Sequence, residues 1–348
     1  MTIPIWDFGK EVCENVISGS KLERLLREGK FVVCGEMSPP QGADKASILK
    51  KCEYFRGFVD AVNLTDNQTA IVRMSSVMSS VFALEGGVEP IMQMTCRDRN
   101  RLAQQSDILG AYAAGVRNIL CLTGDYQSFG NHPDAKAVFD LDSIQLINMV
   151  SGMNSGRFLS GEEMKSPPAM FIGGAANPFG EPFEMRIIRL GKKIRAGAHF
   201  IQTQPVFDLP RFQKWMSAVR DEGYDKQVYI LAGVMPVRSV KALLYMKEEV
   251  PGVRIADEYI KRMESAQDPK EEGVAMCVEI MKQLMEIPGV SGIHIMPVMW
   301  ESITPRLVEE AGLLPRPEPA PQEDPDKTEV SESACEAAES PQVEGELV

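Results

Sequence analysis

Phe31-Val32-Val33-Cys34-Gly35-Glu36-Met37-Ser38-Pro39-Pro40 decides between the two architectures open to this chain. The apolar, β-branched run reads as a strand. In a doubly wound open sheet, the turn after the first strand is usually glycine-rich, to receive a phosphate. Here it is Met37-Ser38-Pro39-Pro40, which argues against that fold. Seven further runs of the same character follow, at 58–64, 90–94, 118–122, 169–173, 200–203, 228–234 and 292–296. Between them lie longer stretches with helical periodicity, as at 107–115, where Ile108, Leu109, Tyr112 and Ala113 precede a glycine able to end a helix. Arg195-Ala196-Gly197-Ala198 repeats the device before the sixth run. Strands joined by helices and lacking hairpin turns pair in parallel, and eight in series predict an α/β fold of the (β/α)8 (TIM) barrel class.

The expected domain layout is an N-terminal helical extension over 1–30, a barrel over 31–314 carrying the catalytic and ligand-binding residues, and a disordered acidic tail over 315–348. A helix at 21–28 is placed to plug the bottom of the barrel. The tail is inferred from composition. After Leu314 the chain is rich in Pro, Glu, Asp, Ser and Ala, and cannot bury enough apolar surface to offset its ordering entropy.

The chain has 348 residues, 44% of them hydrophobic, enough for a full core. Its net charge is −12, but residues 317–348 hold ten Asp and Glu against one Lys, so the body is close to −3. A nearly neutral body without a basic cluster excludes nucleic-acid binding as the main role. No apolar run approaches the ~20 residues of a membrane span. Asp7, Glu11 and Glu14 interrupt the region where a secretion signal would be apolar, so a cytoplasmic location is expected. Seven cysteines form no Cys-x-x-Cys pair, and His132, His199 and His294 are not spaced as a helical metal pair, so no metal site is expected.

In a barrel of this class, polar residues closing the strands face the active-site mouth. Glu36 closes the first run, and its apolar neighbours favour the protonated carboxyl that a general acid needs. Pairing with a cation from a neighbouring strand is the equally weighted alternative. Asp125 follows the fourth run in Leu122-Thr123-Gly124-Asp125, where a fixed anion suits a cationic intermediate. A helix N-cap is its simpler reading, while Gly124 permits close approach of a flat or phosphorylated ligand. Thr65 and Asp66, Gln93 and Thr95, and Gln204 close the second, third and sixth runs; a ring of amides and hydroxyls suits a pterin or an isoalloxazine. Gly173-Gly174-Ala175-Ala176-Asn177-Pro178 is read as leaving space for a bulky cofactor. Arg186, Arg189, Lys192 and Lys193 recur near helical spacing and could face a pyrophosphate or simply solvent.

In this order, Gly35-Glu36-Met37-Ser38-Pro39-Pro40, Leu122-Thr123-Gly124-Asp125, Ala196-Gly197-Ala198 leading into Thr203-Gln204-Pro205-Val206-Phe207-Asp208, and Gly233-Val234-Met235-Pro236-Val237 resemble the methylenetetrahydrofolate reductase family. The resemblance covers about 31–314. It implies a flavoprotein that reduces 5,10-methylenetetrahydrofolate to 5-methyltetrahydrofolate in one-carbon metabolism, serving methionine biosynthesis or the Wood–Ljungdahl pathway. It implies that Glu36 is the general acid, that Asp125 lies near flavin and folate, and that Gln204 binds the pterin. Flavin-contacting positions fall on Thr65, Gln93, Thr123, Gly124, Asp125, Phe139, Asn177, Arg189 and Lys193. FAD is the favoured cofactor, with FMN the alternative.

Better-known bacterial members carry His, Gln, Phe and Arg where this chain has Gln93, Ala242, Met246 and Trp300. In this the chain is similar to the anaerobe and acetogen branch, whose reductases work beside partner subunits. The electron donor is therefore expected to be NAD(P)H or a partner subunit, and the assembly an oligomer or heteromeric complex. Two alternatives stay open: a flavin subunit reduced only by a partner protein, and a pterin-binding barrel that transfers methyl groups without redox chemistry.

Overall fold

The computed structural model describes residues 18–320, apart from Pro251 and the side chain of Glu249. Eight parallel strands close into one barrel in chain order: β1 (Val32–Met37), β2 (Ala61–Leu64), β3 (Pro90–Thr95), β4 (Asn118–Leu122), β5 (Phe171–Ala176), β6 (Phe200–Pro205), β7 (Tyr229–Val234) and β8 (Val290–Ile295). β1 pairs with both β2 and β8, which closes the sheet. Each strand overlaps its expected run. The (β/α)8 class read from the opening decapeptide and its seven successors is therefore the fold of this chain.

The strands alternate between two cores, as the two-residue period of a strand requires. One set of side chains, including Val33, Val62, Met92, Ile119, Ile172, Ile201, Ile230 and Ile293, packs outward in the large cluster shared with the helices. The alternate set, Val32, Cys34, Ala61, Ile91, Leu120, Phe171, Phe200 and Leu231, fills the barrel interior. Helix α1 (Lys21–Arg27) joins that inner cluster through Leu22, Leu25 and Leu26, each 2% exposed or less, and so closes the N-terminal end as expected. Its first turn is capped by Ser20, whose hydroxyl accepts from Glu23 N–H, and by Glu89, whose carboxylate accepts from the N–H groups of Lys21 and Leu22.

The connections carry α2 (Lys45–Cys52), α3 (Ser76–Glu85), α4 (Arg101–Ala113), α5 (Ser143–Asn154), α6 (Phe183–Arg195), α7 (Leu209–Asp221), α8 (Val240–Glu249), α9 (Asp257–Ser265), α10 (Pro269–Met285) and α11 (Thr304–Glu310). α4 and α6 are each followed by a left-handed glycine, Gly115 and Gly197, where the sequence places helix ends. No helix among the described residues is long and apolar enough to cross a membrane.

Two expectations need correcting. Gly173 does not open space for a cofactor: a β-carbon there would lie 2.3 Å from the ring of Phe200, which occupies that part of the interior. The ordered body also runs past Leu314. Arg316, assigned by composition to the tail, is 5% exposed at its side chain, pairs with the fully buried Asp60 and donates to the carbonyl of Phe31 at 2.9 Å. One compact unit extends to Glu318. The remainder of the expected tail from 321 onward, and residues 1–17, lie outside the described residues.

Candidate active site

Parallel pairing sends every strand's C-terminal end to one rim, where the polar residues read from the sequence collect. Glu36 points inward from the penultimate position of β1, with its side chain 12% exposed. Its Oε2 accepts from Gln93 Nε2 of β3 at 3.2 Å and lies 3.5 Å from His294 Nε2 of β8. Glu36 thus stands at the mouth, and the neighbouring strand β8 sets an imidazole beside its carboxyl.

Asp125 is not a helix cap. β4 ends at Leu122, the short 3-10 turn Gln127–Phe129 has no side-chain cap, and Asp125 Oδ2 instead accepts from Thr69 N–H at 3.2 Å. Because Ser38 beside β1 also bonds Gln68 at 2.9 Å, the loop after β2 bridges the exits of β1 and β4. The two carboxylates therefore stand at the exits of strands on the same rim, and one loop joins Asp125 to Ser38, two residues beyond Glu36. Gly124 holds a φ of +93°, and a β-carbon there would come within 3.1 Å of Thr95. Its close neighbour is thus the protein itself.

The rim backbone is strained. Asn67, Thr69 and Ala70 after β2, Phe139 after β4 and Met299 after β8 are the positive-φ residues other than glycine among the described residues, and all lie in loops at the C-terminal ends of strands. Each costs on the order of 1–3 kcal/mol and persists only where its surroundings enforce it. Phe139 is held by its N–H to Cys96 O at 3.1 Å and by edge contact with Tyr126, ring centroids 5.8 Å apart. Beneath these loops Asp66 is fully buried at its side chain. It accepts from Thr95 N–H and Oγ1 at 2.9 Å each and from both terminal nitrogens of Arg99, which joins the ends of β2 and β3.

The other expected contacts divide. Thr65 closes β2 at 1% exposure, and its hydroxyl has no hydrogen-bond partner among the described residues. Gln204 is half-buried near the end of β6, and Thr123 is exposed beyond β4. Asn177, past β5, uses its Oδ1 to accept from Phe179 N–H at 2.9 Å. Arg189 is exposed on α6. Lys193, from the same helix, is 8% exposed and donates to the carbonyl of Ala175 on β5. Burial pushes its pKa down to about 8, helped by the charge of Arg189.

Among the inward-facing polar residues that sequence reasoning passed over are Asn63 and His294, both at most 3% exposed. Strand parity would have found them: His294 follows Gly292 at an interval of two in Gly292-Ile293-His294-Ile295, and Asn63 follows Ala61 likewise. Their significance depends on the strands that the fold places beside them. Among the described residues no group of three or more His, Cys, Asp or Glu could hold a metal ion.

The mouth of this (β/α)8 barrel thus gathers the largely buried Glu36, a second carboxylate at the exit of β4 and a fringe of neutral amides, at the end where barrels of this class carry their sites. The family model of methylenetetrahydrofolate reductase matches residues 21–312, and the chain belongs to that family. Among its relatives are a probable NADPH-dependent methylenetetrahydrofolate reductase of Caenorhabditis elegans, 25% identical over 84% of this chain and 44% of the relative, and methylenetetrahydrofolate reductase 2 of Saccharomyces cerevisiae, 27% identical over 66% and 37%. The chain thus spans less than half the length of these relatives. A 5,10-methylenetetrahydrofolate reductase of Pectobacterium carotovorum is 25% identical over 62% of this chain and 67% of its own. Among solved structures, a Clostridium thermocellum protein described as binding two copies of 5-methyl-5,6,7,8-tetrahydrofolic acid has the same fold, with a TM-score of 0.57 at 15% identity, over 84% of this chain and 98% of that one.

Proposed function

We propose that this chain reduces 5,10-methylenetetrahydrofolate to 5-methyltetrahydrofolate with a bound flavin, FAD in preference to FMN. The observation that carries the reading is Glu36: a largely buried carboxyl at the mouth, held by Gln93 and His294, in a chain that the reductase family model covers from 21 to 312. The rim fits a flavin. Thr65 brings a buried hydroxyl without a partner among the described residues, and Gln93, Gln204 and Asn177 bring neutral amides, which match the mixed N–H and C=O edges of an isoalloxazine or pterin. Thr65, Gln93, Thr123, Gly124, Asp125, Phe139, Asn177, Arg189 and Lys193 are the residues proposed to hold it. When bound, it supplies the hydride chemistry.

The protein's own tasks follow from the substrate. The one-carbon bridge accepts hydride only after one ring C–N bond opens, so the departing nitrogen needs a proton and the resulting cation needs a nearby anion. Glu36 supplies the proton, Asp125 the anion, and Gln204 a hydrogen bond to the pterin. The electron donor is NAD(P)H or a partner subunit. Anaerobic mixing with NADH and then NADPH separates the two: rapid bleaching of the flavin marks direct reduction, and persistent colour marks a partner.

The spectrum of the purified protein, with mass analysis of the released cofactor, tests the flavin reading and separates FAD from FMN. A colourless preparation that gains no flavin overturns it, in favour of a pterin-binding methyltransferase. Glu36→Gln is expected to keep the flavin and to lose about 10²–10⁴ in folate reduction, the usual share of a general acid. Turnover near the parent level rejects that role.

A further inference from the structure

Below the rim, the barrel register sets three polar side chains against one another. Glu36 of β1 pairs in register with Asn63 of β2, and Cys34, two residues earlier, pairs with His294 of β8. The sheet closes through β1, so residues 231 positions apart in sequence meet inside it: Asn63 Nδ2 lies 3.3 Å from His294 Nδ1. The same Nδ2 donates to the carbonyl of Gly35 at 3.3 Å.

That second contact settles the roles. A carbonyl only accepts, so the amide end facing it is the NH2 group, and the ring nitrogen facing the same NH2 group is an acceptor. The neutral imidazole then carries its proton on Nε2, the atom 3.5 Å from Glu36 Oε2. From β3, Gln93 reaches the same oxygen. Oε2 is thus engaged from both sides, which leaves Oε1 to present the transferable proton.

We propose that His294 is a positioning residue for Glu36, holding Oε2 through Nε2–H, and that Asn63 selects the imidazole tautomer that does so. The inference rests on the general-acid reading of Glu36. A separation of 3.5 Å is long for a hydrogen bond, and such contacts commonly tighten when ligand seats. The arrangement needs no charge on the ring. It fixes which carboxyl oxygen turns to the substrate, and a displacement of about 1 Å at a reacting group can cost roughly 10²-fold in rate.

The test uses the flavin-loaded full chain, chemically reduced and mixed with methylenetetrahydrofolate in single turnover. His294→Leu removes the donor, and His294→Gln returns an N–H near the Nε2 place. The Leu variant is expected to reoxidise about 10- to 100-fold more slowly, with flavin content and folate KM near the parent values. The Gln variant is expected to recover most of the rate. In a Glu36→Gln background, His294→Leu is expected to slow the step no further, because its effect passes through Glu36. A Leu variant at the parent rate, an equal slowing in the Glu36→Gln background, or no recovery with Gln overturns the proposal. Should the Leu variant fail to fold, His294→Asn removes the same contact with a smaller polar side chain and is read identically. The outcomes separate the two claims: a fully active Glu36→Gln sinks the general acid itself, whereas an inactive Glu36→Gln beside an unaffected His294→Leu sinks only this inference.

Discussion

His199, just before β6, shows how one titratable ring can serve the scaffold. Its Nδ1 accepts from the N–H of Ile172 at 2.9 Å, and its ring stacks on Phe171 with centroids 5.3 Å apart. Burial pushes its pKa down to about 4, because the charged ring would lose its hydration, and the charge of Arg27 works in the same direction. The folded value lies below the unfolded ~6.5. Above pH 6.5 both states are neutral and nothing is lost; as pH falls from 6.5 towards 4 the unfolded chain takes up the proton first, and stability drops. The ring keeps some exposed surface, which trims the loss to about 2 kcal/mol over that window. His199→Asn keeps an acceptor for Ile172 and cannot titrate. Urea unfolding at pH 7 and pH 4.5 should show a smaller acid loss in this variant, and equal losses in both proteins would contradict the account. At this scale Glu36 was legible because a carboxyl closing an apolar run is conspicuous. Its partner His294, and the Asn63 beside that ring, were not, since an isolated His or Asn within a strand has no meaning until its neighbours are known.

Among the elements, α1 depends on a residue distant in sequence. The sequence places a helix at 21–28 under the barrel, and its Leu22, Leu25 and Leu26 pack there. That its first N–H groups are held by Glu89, which immediately precedes β3, was not readable. Burial raises the pKa of that carboxyl, opposed by the two N–H groups it accepts from. Leu25 is fully buried against the inner strand residues, so Leu25→Ala should cost about 2–5 kcal/mol through lost transfer energy and the cavity left behind. Chemical denaturation measures it, and a loss below 1 kcal/mol would mean that the plug is not packed as described. The rim loops were the least readable elements. Left-handed Asn67, Thr69, Ala70, Phe139 and Met299 carry no local signal, because contacts with other loops impose their conformation.

For the whole molecule, closure of the body depends on a residue beyond the last helix. Arg316 pairs with Asp60, whose Oδ2 also accepts from Val33 N–H at 2.8 Å, and so ties the chain after α11 to the entry of β1. Truncation after Leu314 removes the guanidinium and strands a buried carboxylate, a change that typically costs 3–5 kcal/mol. Truncation after Ala320 keeps it and should unfold at a higher urea midpoint than truncation after Leu314. Urea titrations of the two truncated forms compare directly, and equal stability would remove Arg316 from the account.

The sequence by itself determined the eight-unit barrel, the helix before its first strand and the polar residues at the strand ends, because hydrophobic period and run length are local properties that survive without a partner. Only the tertiary structure decided that Glu36 meets Gln93 and His294, that Asp125 is held by Thr69, and that the body ends beyond Arg316. Those contacts follow from barrel closure, which brings β8 beside β1, and from loop conformations set by neighbours far away in the chain.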